Sequence, residues 1–352
     1  MTAALRVLTP GLLTTIQDLG RPGHQSLGIP VGGALDPVGL RAANVLAGNP
    51  PNTGALEVAY VGPALVVEAP EVRMSFAGAV ADIEILPHVK AVSGKRIEGM
   101  RSIRLRRGEV VRIGALAGGA VLYVGVEGGF DIEPVLGSVS TYIRGAIGGW
   151  QGRALLPGDR LPLRFSEASE ADDREFAGLD LSPPDRFRVI VGPQNDYFSD
   201  VAMAAFFDAE YEIGAGADRM GMRLVGPRLE HCKPLNFTSD GIAPGSIQVP
   251  GNGQPIVLLA DRQTVGGYPK IATVISADLP ALGRMPTGSF IRFAPVTVAE
   301  AEAARRKLVA ELESLPGRLA PIEHADADIT QRLFGCNLIG GVVGAMEPME
   351  LR

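Results

Sequence analysis

The sequence predicts a mainly β protein made of two related halves and followed by a C-terminal helix. The chain has 352 residues, among them 45 glycines and 27 prolines. These residues separate short apolar runs, as turns separate strands. Helical periodicity is sparse before residue 298, and short sequence marks recur in the same order in both halves. Together these observations favour two β domains over a parallel sheet flanked by helices.

Seven strand-like runs carry the β prediction, because most contain β-branched residues and end at Gly or Pro. They are residues 5–8, 64–68, 110–113, 120–126, 188–191, 256–260 and 290–296. Two helices are expected. The first covers 37–47, with Asp36 as N-cap and Pro37 at its first position. The second covers 298–315, where Thr297 and Glu300 form a capping box and an apolar face requires a packing partner.

Repeated marks suggest an internal duplication. Val-Gly-Pro-Ala-Leu at 61–65 recurs as Val-Gly-Pro-Arg-Leu at 225–229. Gly-Gly-Phe at 128–130 follows one strand as Gly-Gly-Tyr at 266–268 follows another. The predicted domains are a first barrel over 1–170 with an insertion near 79–107, a polar linker over 171–186, a second barrel over 187–296, and a C-terminal helix and tail over 297–352.

Composition limits the partners and the compartment. The net charge is −6 and no basic block occurs, so nucleic acid is not an expected partner. No apolar run reaches the roughly 18 residues of a membrane span. Cys232 and Cys336 are too few for a disulfide framework. We therefore expect a cytoplasmic protein that contacts no membrane.

Several familiar chemistries lack their sequence signatures. There is no phosphate-binding P-loop and no G-x-S-x-G nucleophile elbow. The four histidines are scattered, so no metal site is expected. The biotin-attachment tetrapeptide Ala-Met-Lys-Met is also missing, so this chain is not expected to carry biotin itself.

The segment 261–269 is the strongest candidate for a site. Asp261, Arg262 and Gln263 follow a buried strand and precede Gly266-Gly267, a Gly-rich turn. We predict that Arg262, Asp261 and Gln263 are catalytic, with Arg262 stabilising charge and with Asp261 and Gln263 orienting its guanidinium and binding an amide group. The alternative is an ordinary turn in which Asp261 and Arg262 pair with each other.

Further polar clusters occur at 14–23, 137–142, 218–224 and 239–250. Arginine forks suit a carboxylate or phosphate, while Asp, Gln and hydroxyl groups suit N–H and C=O groups. The alternative is that each cluster is a turn held by its own side chains, and Arg219 is expected to form a structural pair with Asp218. The predicted binding residues, expected to converge on one cleft between the halves, are Thr15, Gln17, Arg21, Asp36, Ser138, Thr141, Arg219, Asp240, Gln248 and Tyr268.

These clusters, taken in order, resemble a known family. The motifs lie at 14–23, 33–36, 136–138, 192–196, 218–221, 247–250 and 261–269. They resemble the carboxyltransferase-domain family, also called allophanate hydrolase subunit 2, over roughly residues 5–300. The chain departs from the family at 138–140, where Ser-Val-Ser replaces the frequent Ser-Arg-Ser and puts a possible arginine contact in doubt. The resemblance implies a fold of tandem cyclophilin-like β-barrels.

The resemblance also implies a function. The family includes the C subunit of an ATP-hydrolysing 5-oxoprolinase, which opens 5-oxo-L-proline to L-glutamate together with the A and B subunits. This resemblance implies a hydrolase that is active only within a complex, with ATP bound by that complex. One alternative is a biotin-dependent carboxyltransferase that acts on a urea-like nitrogen, with biotin carried by another chain. Another is a non-catalytic regulator of a sporulation-kinase inhibitor. The lack of a fused carboxylase or biotinyl segment favours the first.

Overall fold

The computed structural model describes residues 3–234 and 238–322. Its strands form two large sheets and one short ladder, and a long helix follows the second sheet. The mainly β fold class with a C-terminal helix is therefore confirmed. In the first half the strands are β1 Ala4–Thr9, β2 Leu13–Gln17, β3 Ala55–Ala59, β4 Ala64–Val67, β5 Glu71–Leu86, β6 Lys95–Ile97, β7 Arg101–Arg106, β8 Val110–Val126, β9 Arg160–Pro162 and β10 Arg174–Phe176.

In the second half the strands are β11 Phe187–Val191, β12 Tyr211–Ile213, β13 Gly221–Val225, β14 Asp240–Gly241, β15 Ser246–Gln248, β16 Ile256–Leu258, β17 Val265–Gly266, β18 Lys270–Val274, β19 Phe290–Ile291 and β20 Phe293–Pro295, with β21 Leu319–Pro321 further on. The helices are α1 Pro37–Leu46, α2 Asp200–Asp208, α3 Leu279–Arg284 and α4 Val298–Ser314.

The first sheet is organised around the long strands β5 and β8, which pair along most of their lengths. Its main order is β21-β10-β7-β5-β8-β4-β1-β9, and β2 joins through β3, which also pairs with β8. The expected strands 110–113 and 120–126 are one strand, β8, because the long strand β5 pairs with it on both sides of the glycines between them. The inward faces pack a core that includes Leu5, Met74 and Val124.

The second sheet nearly closes on itself. Its order is β19-β12-β13-β16-β15-β18-β11-β20, and only Arg292 separates β19 from β20. The two ends of the order are therefore adjacent in the chain, which gives a barrel-like sheet. Phe187, Phe206 and Phe293 lie at the centre of its core.

The two sheets share an antiparallel strand order. The path β2-β3-β8-β5 in the first sheet corresponds to β12-β13-β16-β15 in the second. The Val-Gly-Pro marks follow β3 and the end of β13, at equivalent places in these paths. This order supports the duplication, which stays a prediction together with its domain boundaries.

The predicted polar linker contains a strand of the first sheet. β10 lies within 171–186 and pairs with both β7 and β21. The buried Arg73 binds this region, with Nε 3.2 Å from Asp173 Oδ1 and Nη1 3.0 Å from Ser169 Oγ. Asp173, one of the polar residues that suggest a solvated linker, is thus a partner of a buried arginine.

Both expected helices form with their expected caps. Asp36 accepts a 2.9 Å hydrogen bond from the backbone N–H of Val38 at the start of α1. Thr297 and Glu300 form the complete capping box of α4. The apolar face of α4 packs through Leu312 and Leu315 against the cluster around α1. Apart from β21, the predicted tail lies largely outside the described residues.

Two kinds of feature are absent from the residues that the structure describes. Within 3–234 and 238–322, no helix is long and apolar enough to cross a membrane. In the same ranges, no three side chains of the His, Cys, Asp or Glu type are grouped to hold a metal ion.

Candidate functional site

A buried ionic network joins the two halves of the protein. Arg219 lies just before β13 and donates to both oxygens of Asp261, with distances of 2.8 Å from Nε and 3.1 Å from Nη2. Its Nη1 donates to Glu57 on β3, and its Nη2 donates to the carbonyl of Gly33 at 2.6 Å. Arg219, Glu57 and Asp261 are all buried. One guanidinium of the second half is therefore held by a carboxylate from each half.

The two carboxylates favour the charged form of Arg219. Burial alone would lower the pKa of Arg219, but the carboxylates of Glu57 and Asp261 raise it above the ordinary arginine value. Tyr123 donates to Glu57 Oε2 at 2.5 Å. Burial, together with the charges of Glu57 and Asp36, raises the pKa of Tyr123 well above its ordinary value. The tyrosine therefore stays protonated as a hydrogen-bond donor.

The expected pair between Arg219 and Asp218 is wrong. Asp218 turns away and accepts the backbone N–H groups of Met220 and Gly221, at 2.8 and 3.1 Å. Its other oxygen lies 3.8 Å from Nη2 of Arg144. The bend at 218–221 is held by these bonds, and it leaves Asp218 at the surface while Arg219 enters the junction.

The hydroxyl cluster of the first half holds a loop in place. Asp18 accepts from Ser138 Oγ at 2.6 Å, from Ser140 Oγ at 2.5 Å and from the backbone N–H of Val139 at 2.8 Å. Arg21 donates through Nη2 to the carbonyl of Ser140. These residues fix one end of the segment 138–149, which we call the Arg144 loop.

Three more predicted residues anchor the same loop. Gln17 donates through Nε2 to Thr15 Oγ1 at 2.9 Å and to the carbonyl of Thr141 at 3.1 Å. The hydroxyl of Thr141 donates to the carbonyl of Ile16 at 3.0 Å. All three side chains are buried and hold the loop against β2. The hydroxyls of Thr15 and Thr141 are already bonded, whereas Gln17 Oε1 has no partner among the described residues.

The Arg144 loop extends from the first half to the second. Its tip is a 3₁₀ turn, Ile143–Gly145, closed by hydrogen bonds of 2.8 and 3.2 Å between the backbones of Tyr142 and Ile147. Ala146 ends the turn in the left-handed region, at φ 50°. The Arg144 side chain is 62% exposed and lies beside Asp218 of the second half.

A cavity of about 410 Å³ lies on the second barrel beneath this arginine. Polar side chains line it on several sides, and Ile256, Leu258 and Pro250 supply apolar surface. The polar lining consists of Arg144, Asp218, Arg223, Asn252, Gln248, Gln263 and Tyr268. Arg144 is the first-half residue in this lining, so the cavity is composite.

The cavity contains a buried amide with unused hydrogen-bonding capacity. Gln263 Nε2 lies 3.4 Å from Gln248 Oε1. Gln248 is 2% exposed, and its Nε2 has no hydrogen-bond partner among the described residues. A side chain on residue 266 would approach this Nε2 to 2.8 Å, so Gly266 avoids a clash with the buried amide. A buried donor without a partner is costly, and a ligand atom would satisfy it.

The side chains of Asp261 and Gln263 do not orient the guanidinium of Arg262. It is buried and donates to the carbonyls of Ile242 and Leu259, both at 3.2 Å. Burial lowers the pKa of Arg262. Asp261 binds Arg219 instead, and Gln263 binds Gln248. The expectation that Asp261 and Gln263 hold this guanidinium is therefore wrong, because each bonds a residue from another part of the second half.

Two other predicted residues lie away from the cavity. Asp36 is fully buried and caps α1. Its Oδ2 also forms a 2.8 Å ion pair with Nη1 of Arg284, but neither of these two atoms makes a well-directed hydrogen bond within the described ranges. Asp240 pairs with Lys270 at 2.9 Å, and the hydrogen bond from this lysine lowers the pKa of the carboxyl group. Neither contributes to the cavity lining.

Sequence reasoning does not select Glu57, Tyr123 and Arg144. Glu57 and Tyr123 lie in strands whose apolar pattern indicates core, with no sign of a cation from the other half. Arg144 has a usable signal, because it follows the hydroxyl cluster closely and precedes Gly145 in a turn.

A larger groove of about 980 Å³ runs along β7, but only first-half residues and Ile322 line it. Two of its lining arginines, Arg101 and Arg104, pair with Glu175 and Glu71.

The residues of the junction and the composite cavity do not fit a nucleoside triphosphate. A triphosphate requires several free cations or backbone N–H groups around its oxygens. Arg219 is bound by carboxylates, and Arg21 and Arg262 donate to carbonyls. Arg144 and Arg223 remain at the cavity, with Asp218 beside them. We therefore assign no step on this chain to ATP.

Comparison with known proteins gives relatives over nearly the whole chain. The sequence is 38% identical to the C subunit of 5-oxoprolinase from Escherichia coli over 317 residues, which are 90% of this chain and 98% of that protein. It is 38% identical to the Haemophilus influenzae protein of the same name, covering 83% of this chain and 91% of the relative. Urea amidolyase of Saccharomyces cerevisiae is 28% identical, over 89% of this chain but 18% of its own length.

Solved structures and a family model agree with these relatives. The crystal structure of Kluyveromyces lactis urea carboxylase matches with a TM-score of 0.80 and 25% identity, over 93% of this chain and 30% of that chain. The model "Carboxyltransferase domain, subdomain A and B" matches residues 27–295, well over half of the sequence. The chain therefore belongs to the carboxyltransferase domain, subdomain A and B, family.

Proposed function

We propose that this chain is the C subunit of an ATP-hydrolysing 5-oxoprolinase, which opens 5-oxo-L-proline to L-glutamate together with the A and B subunits. One observation carries the proposal. The relatives that share 38% identity over 98% and 91% of their lengths have this name, whereas urea amidolyase matches over 18% of its length. Cysteine usage supports a reducing cytoplasm as the compartment.

The composite cavity suits a small cyclic amide. A five-membered lactam holds its amide cis, so its N–H and C=O lie along one edge. A glutamine carboxamide also presents a donor and an acceptor side by side. Gln248 Nε2 would donate to the lactam oxygen, and Gln248 Oε1 would accept from the lactam N–H. This pairing would satisfy the buried donor that has no described partner.

The chemistry divides between this chain and its partners. A lactam is stable, so the complex must activate it, and phosphorylation of its oxygen with ATP supplies that activation. This chain binds the lactam edge through Gln248 and Gln263, with Tyr268 at the cavity rim. Asp261 and Arg262 act as positioning residues, because their contacts fix the segment that carries Gln263.

Reconstitution tests the proposal. The chain is purified alone and together with the A and B subunits, and glutamate release from 5-oxoproline is measured with and without ATP. We expect ATP-dependent release from the complete complex and little or none from the single chain. Robust release by the chain alone would contradict the need for partners. An inactive but correctly assembled complex would contradict the function.

The second candidate is biotin-dependent carboxyl transfer to a urea-like nitrogen. The fold match to urea carboxylase favours it, and the ureido ring of biotin also presents a cis N–H and C=O edge to Gln248. Biotin would be carried by another chain. Urea- and bicarbonate-dependent ATP hydrolysis with a biotinylated partner, without 5-oxoproline turnover, would select this candidate.

A further inference from the structure

We propose that Arg144 determines substrate specificity by binding the carboxylate of the lactam substrate, so that the first half completes a cavity formed by the second. This inference rests on the proposed function. It concerns a residue that lies outside both the 261–269 segment and the polar clusters, and it explains why the Arg144 loop is so firmly held.

Arg144 has the freedom to take a new partner. Its closest described carboxylate is Asp218, at 3.8 Å, and both side chains are more than half exposed. An exposed ion pair at this distance contributes little. A substrate carboxylate can instead accept two parallel hydrogen bonds from one guanidinium, which is a stronger and more directional arrangement.

The position of Arg144 matches the shape of a 2-carboxy lactam. Arg144 lines the same cavity of about 410 Å³ as Gln248 and Gln263. In 5-oxoproline the carboxylate is attached to the carbon next to the ring nitrogen, so it lies beside the amide edge. A ligand whose amide edge faces the glutamines therefore directs its carboxylate toward the cavity rim. Arg223 is the other arginine in the cavity lining, so it is the alternative candidate for binding the carboxylate.

The loop that presents Arg144 is ordered before a ligand arrives. Asp18, Gln17 and Thr141 hold its base through buried hydrogen bonds, and the Tyr142–Ile147 bridge closes its tip. A preformed loop reduces the entropy lost on binding. Asp18, Gln17 and Thr141 do not themselves contact the ligand. They contribute to the site because they position Arg144, which does.

Arg144→Gln in the reconstituted complex tests the inference. Charge-assisted hydrogen bonds are worth roughly 1.5–3 kcal/mol, so we expect KM for 5-oxoproline to rise about 10- to 150-fold, with kcat changed much less. Arg144→Lys should recover part of the loss. The inhibition constant of 2-pyrrolidinone, the same lactam without a carboxylate, should stay within about twofold, because only the carboxylate contact is removed.

Arg96→Gln is the matched control. Arg96 forms a 3.6 Å pair with Asp82, at 72% and 59% exposure, which closely resembles the Arg144 pair. It lies away from the cavity lining, so KM should be unchanged. An active wild-type complex whose KM is unaffected by Arg144→Gln, or affected only by Arg223→Gln, would contradict this inference alone. Equal weakening of 5-oxoproline and 2-pyrrolidinone would also contradict it. An inactive wild-type complex would contradict the proposed function.

Discussion

The residues at the end of β16 take three different partners, although they are adjacent in sequence. Asp261 binds Arg219, Arg262 binds two backbone carbonyls, and Gln263 reaches Gln248 in the cavity. Only Gln263 of the three lines the cavity. Gln263 is therefore the ligand-facing residue of the three, and Asp261 and Arg262 support the segment that carries it.

Arg262→Lys distinguishes support from direct catalysis. A lysine cannot reproduce the planar fork that reaches Ile242 and Leu259, so one buried carbonyl would lose its partner. We expect the free energy of unfolding to fall by about 1–3 kcal/mol, with kcat of the folded complex within severalfold of the wild type. Thermal unfolding and turnover are measured on one preparation. An unchanged melting temperature with a kcat loss above about 30-fold would assign Arg262 a direct catalytic role.

Individual polar residues are predictable from the sequence, but their partners are not. Asp261, Gln248 and Gln263 stand out because polar groups follow apolar strands. Glu57 does not stand out, because its apolar strand context gives no sign of a cation 162 residues away. Contacts at this sequence separation depend on how the two sheets pack, which local composition does not encode.

Elements are predictable where their signals are local. The caps of α1 and α4 involve residues two or three positions apart, so Asp36 and the Thr297–Glu300 box can be identified directly. The helices α2 and α3 are not predicted, because they span 9 and 6 residues and give little periodic signal. β10 falls within the predicted linker because the strands that pair with it, β7 and β21, are far away in sequence. The Arg144 loop depends in the same way on β2.

The whole molecule depends on the buried junction between its halves. Glu57→Gln removes one of the two carboxylates that hold Arg219. Loss of a partner in a buried ion pair typically costs about 3–5 kcal/mol, and we expect the free energy of unfolding to fall by about 3 kcal/mol in denaturant titrations. Glu302→Gln is the control, because its helical pair with Arg306 is exposed and should contribute less than about 0.5 kcal/mol. Equal effects of the two substitutions would show that the junction does not depend on this network.

The central claim is that both halves form one lactam site, with Gln248 and Gln263 from the second half and Arg144 from the first. The most direct measurement is a crystal structure of the assembled complex with 5-oxoproline bound. We predict the lactam N–H and C=O within hydrogen-bond distance of the Gln248 carboxamide, and the carboxylate within hydrogen-bond distance of the Arg144 guanidinium. A 5-oxoproline molecule bound on this chain outside the cavity, or bound in a partner subunit without contact to either residue, would contradict the account.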